Sequence, residues 1–211
     1  MDISNAARVR KLASNLAAHP AFVLPYLRHS LLTRQRPLDK DMPWWSFKAI
    51  KRADDLMPGK RVFEFGTGGS TTRYAKVAKS IVAVEDDAFW CENVQRTLAA
   101  AGIINVEIRL CPFDFDRPQG FSESAYLRAF DPSVDYDVVV IDGQDKTFRE
   151  RITCFRRVEP AVARTGGIII VDNWWRYTEL LDSHRAKRVE VCESVGPCRI
   201  GVTSTAFFFY A

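Results

Sequence analysis

The sequence predicts a doubly wound α/β fold. It is built on a mostly parallel seven-stranded sheet with a C-terminal antiparallel hairpin, and a helical extension precedes it. Three observations carry this reading. From Lys60 onward, short apolar runs alternate with stretches of helical period, the pattern of repeated β-α units. Several of those runs are near-continuous in Val and Ile, which suits strands buried on both faces. The last two runs, 188–193 and 205–210, are separated by a Gly-Pro-containing stretch, which reads as a hairpin.

The elements follow in order. Ile3, Ala6, Val9, Leu12, Ala13, Leu16 and Ala17 recur at three- and four-residue spacing, so 3–18 is an amphipathic helix stopped near Pro20. Residues 21–43 hold Pro25, Pro37 and Pro43 and form a broken connection with a short helix near 26–33. A second helical stretch, 44–57, is closed by Pro58-Gly59. Strands are then expected at 61–66, 81–85, 103–110, 136–142 and 167–172, with helices at 69–79, 87–101 and 146–164. The predicted organisation is an extension over 1–43 and one domain over 44–211.

Composition narrows the classes. With 211 residues, 47% hydrophobic and 27% charged, the chain can bury one sizeable core without staples. The net charge is +4, yet residues 1–40 hold seven basic and two acidic side chains, so the extension supplies the whole excess. A main domain without basic clustering argues against nucleic acid as a partner. Five cysteines without CxxC spacing read as reduced thiols of a cytoplasmic protein. No apolar run approaches the roughly 18 residues that a membrane span needs. The basic amphipathic helix at the start is expected to pack on the main domain or on a partner subunit, which leaves a homo-oligomer through this helix open.

The most informative stretch is Glu64-Phe65-Gly66-Thr67-Gly68-Gly69-Ser70-Thr71, between the first strand and a helix. Gly66 and Gly68 let backbone approach a ligand closely, and the helix start beyond them offers free N–H groups. Nineteen residues past Gly66, Glu85 ends the second strand, where an acid can accept from both hydroxyls of a ribose; the alternative is that it caps the next helix, which Asp86 or Asp87 could do equally well. A nicotinamide-dependent oxidoreductase would want a third glycine where Thr71 stands. The ligand implied carries a ribose but is less anionic than a dinucleotide.

These residues, with Asp142 after strand four and Gly166-Gly167 through Asp172 around strand five, resemble the class I S-adenosylmethionine-dependent methyltransferases over roughly 44–211. The resemblance implies S-adenosylmethionine as cofactor. Glu64, Gly66 and Gly68 would border its methionine end, with Thr67 on the same loop, and Ser70 would donate to its carboxylate. Glu85 would hold the ribose, and Asp114 would accept from the adenine. Asp142 lies beside the switch point of the sheet, where ligands of open α/β sheets collect, and joins the cofactor set.

Asp142 and Asp172 are also the candidate catalytic bases for an acceptor hydroxyl. With Asn173 they offer the oxygen ligands of a hard cation. That arrangement, with Lys146 nearby, is similar to catechol and caffeoyl-CoA O-methyltransferases. Lys146 stands one residue further from Asp142 than that pattern expects, so the metal-free version is preferred. Trp44-Trp45 is read as packing and Trp174-Trp175 as the better substrate contact. The expected activity is methyl transfer to a small-molecule or glycan hydroxyl. A non-catalytic cofactor-binding or assembly module is the other alternative.

Overall fold

The structure is a computed structural model that describes residues 5–32 and 36–211. The expected helix start at Ile3 and the end of the short helix at Thr33 lie outside the described residues. Helix α1 (Asn5–Ala18) is followed by α2 (Val23–Tyr26), which runs into a π-helical turn over Leu27–Leu31, and by α3 (Phe47–Leu56). Then come β1 (Arg61–Phe65), α4 (Gly69–Ala75), β2 (Ser80–Glu85), α5 (Ala88–Ala100) and β3 (Val106–Leu110). A short α6 (Ala125–Arg128) precedes β4 (Val138–Ile141), α7 (Glu150–Thr165) and β5 (Ile168–Asp172). The hairpin of β6 (Arg188–Val195) and β7 (Val202–Phe209) ends the chain.

The sheet has seven strands in the order β3-β2-β1-β4-β5-β7-β6. β1 to β5 pair in parallel, and β7 alone runs against its neighbours on both sides. Successive strand residues face opposite layers. Phe63, Phe65, Val139, Ile141, Val171 and Phe208 pack under α6 and α7, whereas Val62, Val138, Val140, Ile170 and Phe207 pack under α3, α4 and α5. Both layers are closed, which is why the central strands read as unbroken apolar runs. Tyr26, Leu38 and Trp45 are buried in the second layer. Helix α1 lies over the hairpin through Leu12 and Leu16, with Asn15 Oδ1 accepting from Val195 N at 3.1 Å. Among the described residues no helix is long and apolar enough to cross a membrane.

Five element boundaries differ from expectation for identifiable reasons. The side chain of Asn105 donates to the carbonyls of Ala75 and Ala78, at 2.9 and 3.0 Å, which ends α4 early and delays β3 to Val106. Helix α7 starts at Glu150, not 146, because Phe148 sits at φ 64° and Asp145 accepts from the Phe148 and Arg151 amides. The hairpin strands are longer than expected, since hydrogen bonding continues through polar Thr203, Ser204 and Thr205.

The sheet order reverses between β1 and β4, so their C-terminal ends open a crevice at the switch point. That crevice positions the site.

Candidate functional site

Glu64 is buried one residue before the end of β1, and its carboxyl organises the loop that follows. Ser70 donates to one oxygen and the Thr71 hydroxyl to the other at 2.7 Å, while Thr71 Oγ1 accepts from Gly68 N at 3.0 Å. Burial pushes the Glu64 carboxyl up to about 8, against the pull of those two hydroxyls. Gly66, at φ 89°, lies against Gly143, where a Cβ would come within 2.9 Å of the Gly143 Cα. The glycine there is required by contact between the β1 and β4 loops. At Gly68 such a Cβ would meet only Trp90 Cζ2, at 3.7 Å, an ordinary contact, so this position has room for one.

Glu85, at the end of β2, receives donors on both oxygens. Oε2 accepts from the backbone and hydroxyl of Thr67, and Oε1 accepts from the Asp86 and Asp87 amides at 3.0 and 3.1 Å. Asp87, not Glu85, caps α5 by accepting from Trp90 N at 2.7 Å. Burial, with Glu85 beside it, raises the Asp86 carboxyl to about 7. Trp90 completes the wall by donating its indole N–H to the Thr67 carbonyl at 2.8 Å. The resulting cavity, of about 350 Å³, is lined by Gly66, Thr67, Glu85, Asp86, Asp87, Trp90, Asp142, Gly143 and Gln144. It holds four carboxylates and no basic side chain.

Asp142 reaches this cavity from the end of β4. Its Oδ2 accepts from Trp45 Nε1 at 2.8 Å, and its Oδ1 lies 3.1 Å from Arg151 Nη2. Arg151, buried in the first turn of α7, also donates to the carbonyls of Asp142, Gly143 and Asp172, at 3.1, 2.9 and 2.9 Å. One guanidinium thus ties together the ends of β4 and β5. Asp172 is 1% exposed and accepts from Thr205 Oγ1 at 2.6 Å, and burial, reinforced by Asp142, raises it to about 7.

Of the sequence-predicted residues, Gly66, Thr67, Glu85 and Asp142 therefore share one cavity wall, with Gly68 beside Trp90. Glu64 and Ser70 stand behind the loop, bonded to each other. Asp172 lies behind Asp142 and the neighbouring Asn173 sits at φ 54°. Asp114 is exposed on the loop after β3, where it accepts from Asp116 N, and it does not line the cavity. Lys146 pairs with Asp116 at 3.1 Å. Of Asp142, Asp172 and Asn173, the residues offered to a cation, two already have side-chain partners. Asp142 already takes Arg151 and the Trp45 indole, and Asp172 takes Thr205.

Trp45, Trp90, Arg151 and Tyr126 were not foreseen as site residues. Each tryptophan pair splits: Trp45 is buried, as the packing reading expects, with its N–H spent on Asp142, but Trp44 is exposed, and Trp174 is buried in the core while only Trp175 is open to a substrate. The Tyr126 hydroxyl is buried beside Gly143 without a hydrogen-bond partner among the described residues. Arg151 had a legible signal, a charge on the helical stripe that continues as Phe155, Val158 and Val162.

No protein-family model and no curated protein matches this sequence. Solved structures do. A candidate O-methyltransferase from Klebsiella pneumoniae is similar at a TM-score of 0.62 and 17% identity, covering 97% of this chain and 99% of that one. Cofactor-bound Rv0187 from MTB is similar at 0.58 and 19%, covering 98% and 92%. An O-methyltransferase from Bacillus cereus in complex with SAH is similar at 0.54 and 15%, covering 99% and 92%. The fold is that of the class I S-adenosylmethionine-dependent methyltransferases.

Proposed function

We propose that the protein is an S-adenosylmethionine-dependent methyltransferase that methylates a hydroxyl of a small molecule or glycan. The carrying observation is the charge of the cavity. Four carboxylates and no cation line it, which favours a ligand with a positive centre and opposes a pyrophosphate. A sulfonium cofactor meets this condition and a nicotinamide dinucleotide does not.

The residues fit that cofactor. A Cβ at Gly68 would touch only Trp90, a residue of the cavity wall, so the glycine leaves the backbone bare beside that wall. The Thr67 hydroxyl occupies the place on Glu85 that a ribose hydroxyl would take. Rotation about one side-chain bond frees it. Glu64, Ser70 and Thr71 hold the loop at the methionine end, and Asp142 holds the side nearest the acceptor.

When bound, S-adenosylmethionine supplies an electrophilic methyl group on sulfur. The chain's part is alignment of an acceptor hydroxyl with that methyl, which accounts for much of the rate in displacements of this kind. Asp142 lines the cavity and would take the hydroxyl proton at a carboxylate oxygen, with Asp172 behind it as the second candidate. Trp45 and Arg151 fix the Asp142 orientation.

Thermal denaturation with added ligands tests the reading. S-adenosylmethionine or S-adenosylhomocysteine at a hundredfold over Kd should stabilise the fold by about 2.7 kcal/mol, or about 5–10 °C for a chain of this size. NAD should give no shift. A shift with NAD and none with either sulfur compound would overturn the proposal.

A further inference from the structure

Beyond the cavity, the rim beside Asp142 and Asp172 carries two arginines whose guanidinium groups face aromatic rings. Arg199 lies in the turn between β6 and β7. It donates to the Trp44 carbonyl at 3.2 Å and lies 5.9 Å from the centroid of the Trp44 ring. Arg176 follows β5 and lies between two rings, 4.7 Å from the Trp175 centroid and 4.9 Å from that of Phe148. Among the described residues neither arginine has a carboxylate within ion-pair distance.

The two cations share one neighbourhood. Burial holds Arg199 below its ordinary value and the nearby Arg176 charge adds to this, while Asp172 and Asp142 act in the opposite sense. Trp44, Trp175 and Phe148 nevertheless stay 54%, 56% and 47% exposed. Phe148 also holds a left-handed backbone that a bulky residue adopts only at a cost, and its ring is one of the two against Arg176. Flat faces open to water, beside guanidinium groups that no carboxylate of the described residues neutralises, form a surface suited to a planar anion. Arginine binds carboxylate and phosphate through paired N–H groups, and exposed aromatic faces take planar bodies.

We propose that this rim binds the methyl acceptor, and that the acceptor carries a carboxylate or phosphate on a planar apolar body. The anion sits on Arg199 and Arg176 and the body rests on Trp175 or Trp44. The word acceptor rests on the methyltransferase reading; the anion site itself does not. Within that reading, the rim favours a small molecule over a neutral glycan.

Calorimetry on the full chain, with and without S-adenosylhomocysteine, tests this using two matched pairs. These are 3,4-dihydroxybenzoate against catechol, and phenyl phosphate against phenol. At least one anion should bind about tenfold or more tighter than its neutral partner, the worth of one charged hydrogen bond. The pair with the larger ratio identifies the anion. In Arg176→Gln the ratio should fall at least about threefold, and in the Arg176→Gln, Arg199→Gln double variant it should approach unity. Arg176 is exposed, so its variant tests the site even where Arg199→Gln disturbs the turn. S-adenosylhomocysteine affinity should stay within about twofold in the single variant. Anion preference absent from both pairs, or retained in the double variant, overturns the proposal. Anion preference without S-adenosylhomocysteine binding overturns the methyltransferase reading and leaves the anion site standing.

Discussion

At Asp142 a carboxylate that would serve the acceptor is already bonded to Trp45 and Arg151. Both partners hold the carboxylate in one orientation. Asp172 is placed differently. Raised to about 7, it lies near the value expected of a general base at neutral pH, but Thr205 and its own burial separate it from the cavity. The two replacements therefore differ in what else they disturb. Asp172→Asn, at a buried group that does not line the cavity, should lower transfer of labelled methyl into host-extract acceptors by less than Asp142→Asn, whose loss should reach the roughly 10²–10⁴-fold worth of general base catalysis, and should largely keep cofactor affinity. Asp142→Asn should lower transfer too, but it also leaves Arg151 without its counter-charge. That should cost about 3–5 kcal/mol of stability and weaken cofactor binding. EDTA should change neither the wild-type rate nor the variants, because Asp142, the candidate ligand that lines the cavity, already has both oxygens engaged. Activity lost to EDTA and restored by Mg²⁺ would overturn the metal-free mechanism.

The loop between β1 and α4 shows how one element divides its glycines between folding and binding. Gly66 is a packing glycine, pressed against Gly143 at φ 89°, and Gly69 would drive a Cβ to 2.0 Å from the Met42 carbonyl oxygen. Gly68 has an extended φ, and a Cβ there would meet only Trp90, at 3.7 Å. Gly68→Val should thus fold with an unchanged circular dichroism spectrum yet lose S-adenosylhomocysteine binding in calorimetry by at least about tenfold. Gly66→Val should fail at folding. Unchanged affinity in Gly68→Val would remove this position from the site.

This division was only partly legible in the sequence. Glu64, the glycine loop and Glu85 declare themselves because strand, turn and helix signals flank them at fixed spacing. Asp142 and Asp172 declare themselves as strand-terminal acids. The partners that fix those acids come from far along the chain: Trp45, 97 residues from Asp142, and Thr205, 33 residues from Asp172. No local periodicity encodes such pairs. The stretch 121–128 was likewise missed, because its 3₁₀ turn and single α-turn are too short to show a period, and it is Phe121, Tyr126 and Leu127 packing into the core that holds it.

At the scale of the molecule, the carboxyls raised by burial gather around the strand ends of the switch-point rim. Glu64 lies at about 8, Asp86 and Asp172 at about 7, and Asp145 at about 6. Each holds its proton more tightly in the folded protein than in the unfolded chain. Their contribution to stability is therefore fully present below the ordinary carboxylate range and is lost as pH rises through these values. Glu150, lowered to about 2 by Asp145 and Thr147 against its burial, acts only in acid. His29, lowered chiefly by burial, acts in the reverse sense near neutrality, one group against four. The melting temperature should accordingly be higher at pH 5.5 than at pH 8, and Glu64→Gln should flatten that slope. A cationic cofactor in the acidic cavity favours the charged carboxylates and should release protons on binding. Stabilisation by S-adenosylmethionine should then be larger at pH 8 than at pH 5.5, and calorimetry in buffers of different ionisation enthalpy should report proton release. A ligand of this charge that bound more tightly in acid, or a melting temperature that rose steadily from pH 5.5 to 8, would mean that the strand-end acids ionise freely in the fold. The cavity's charge would then no longer account for its choice of cofactor.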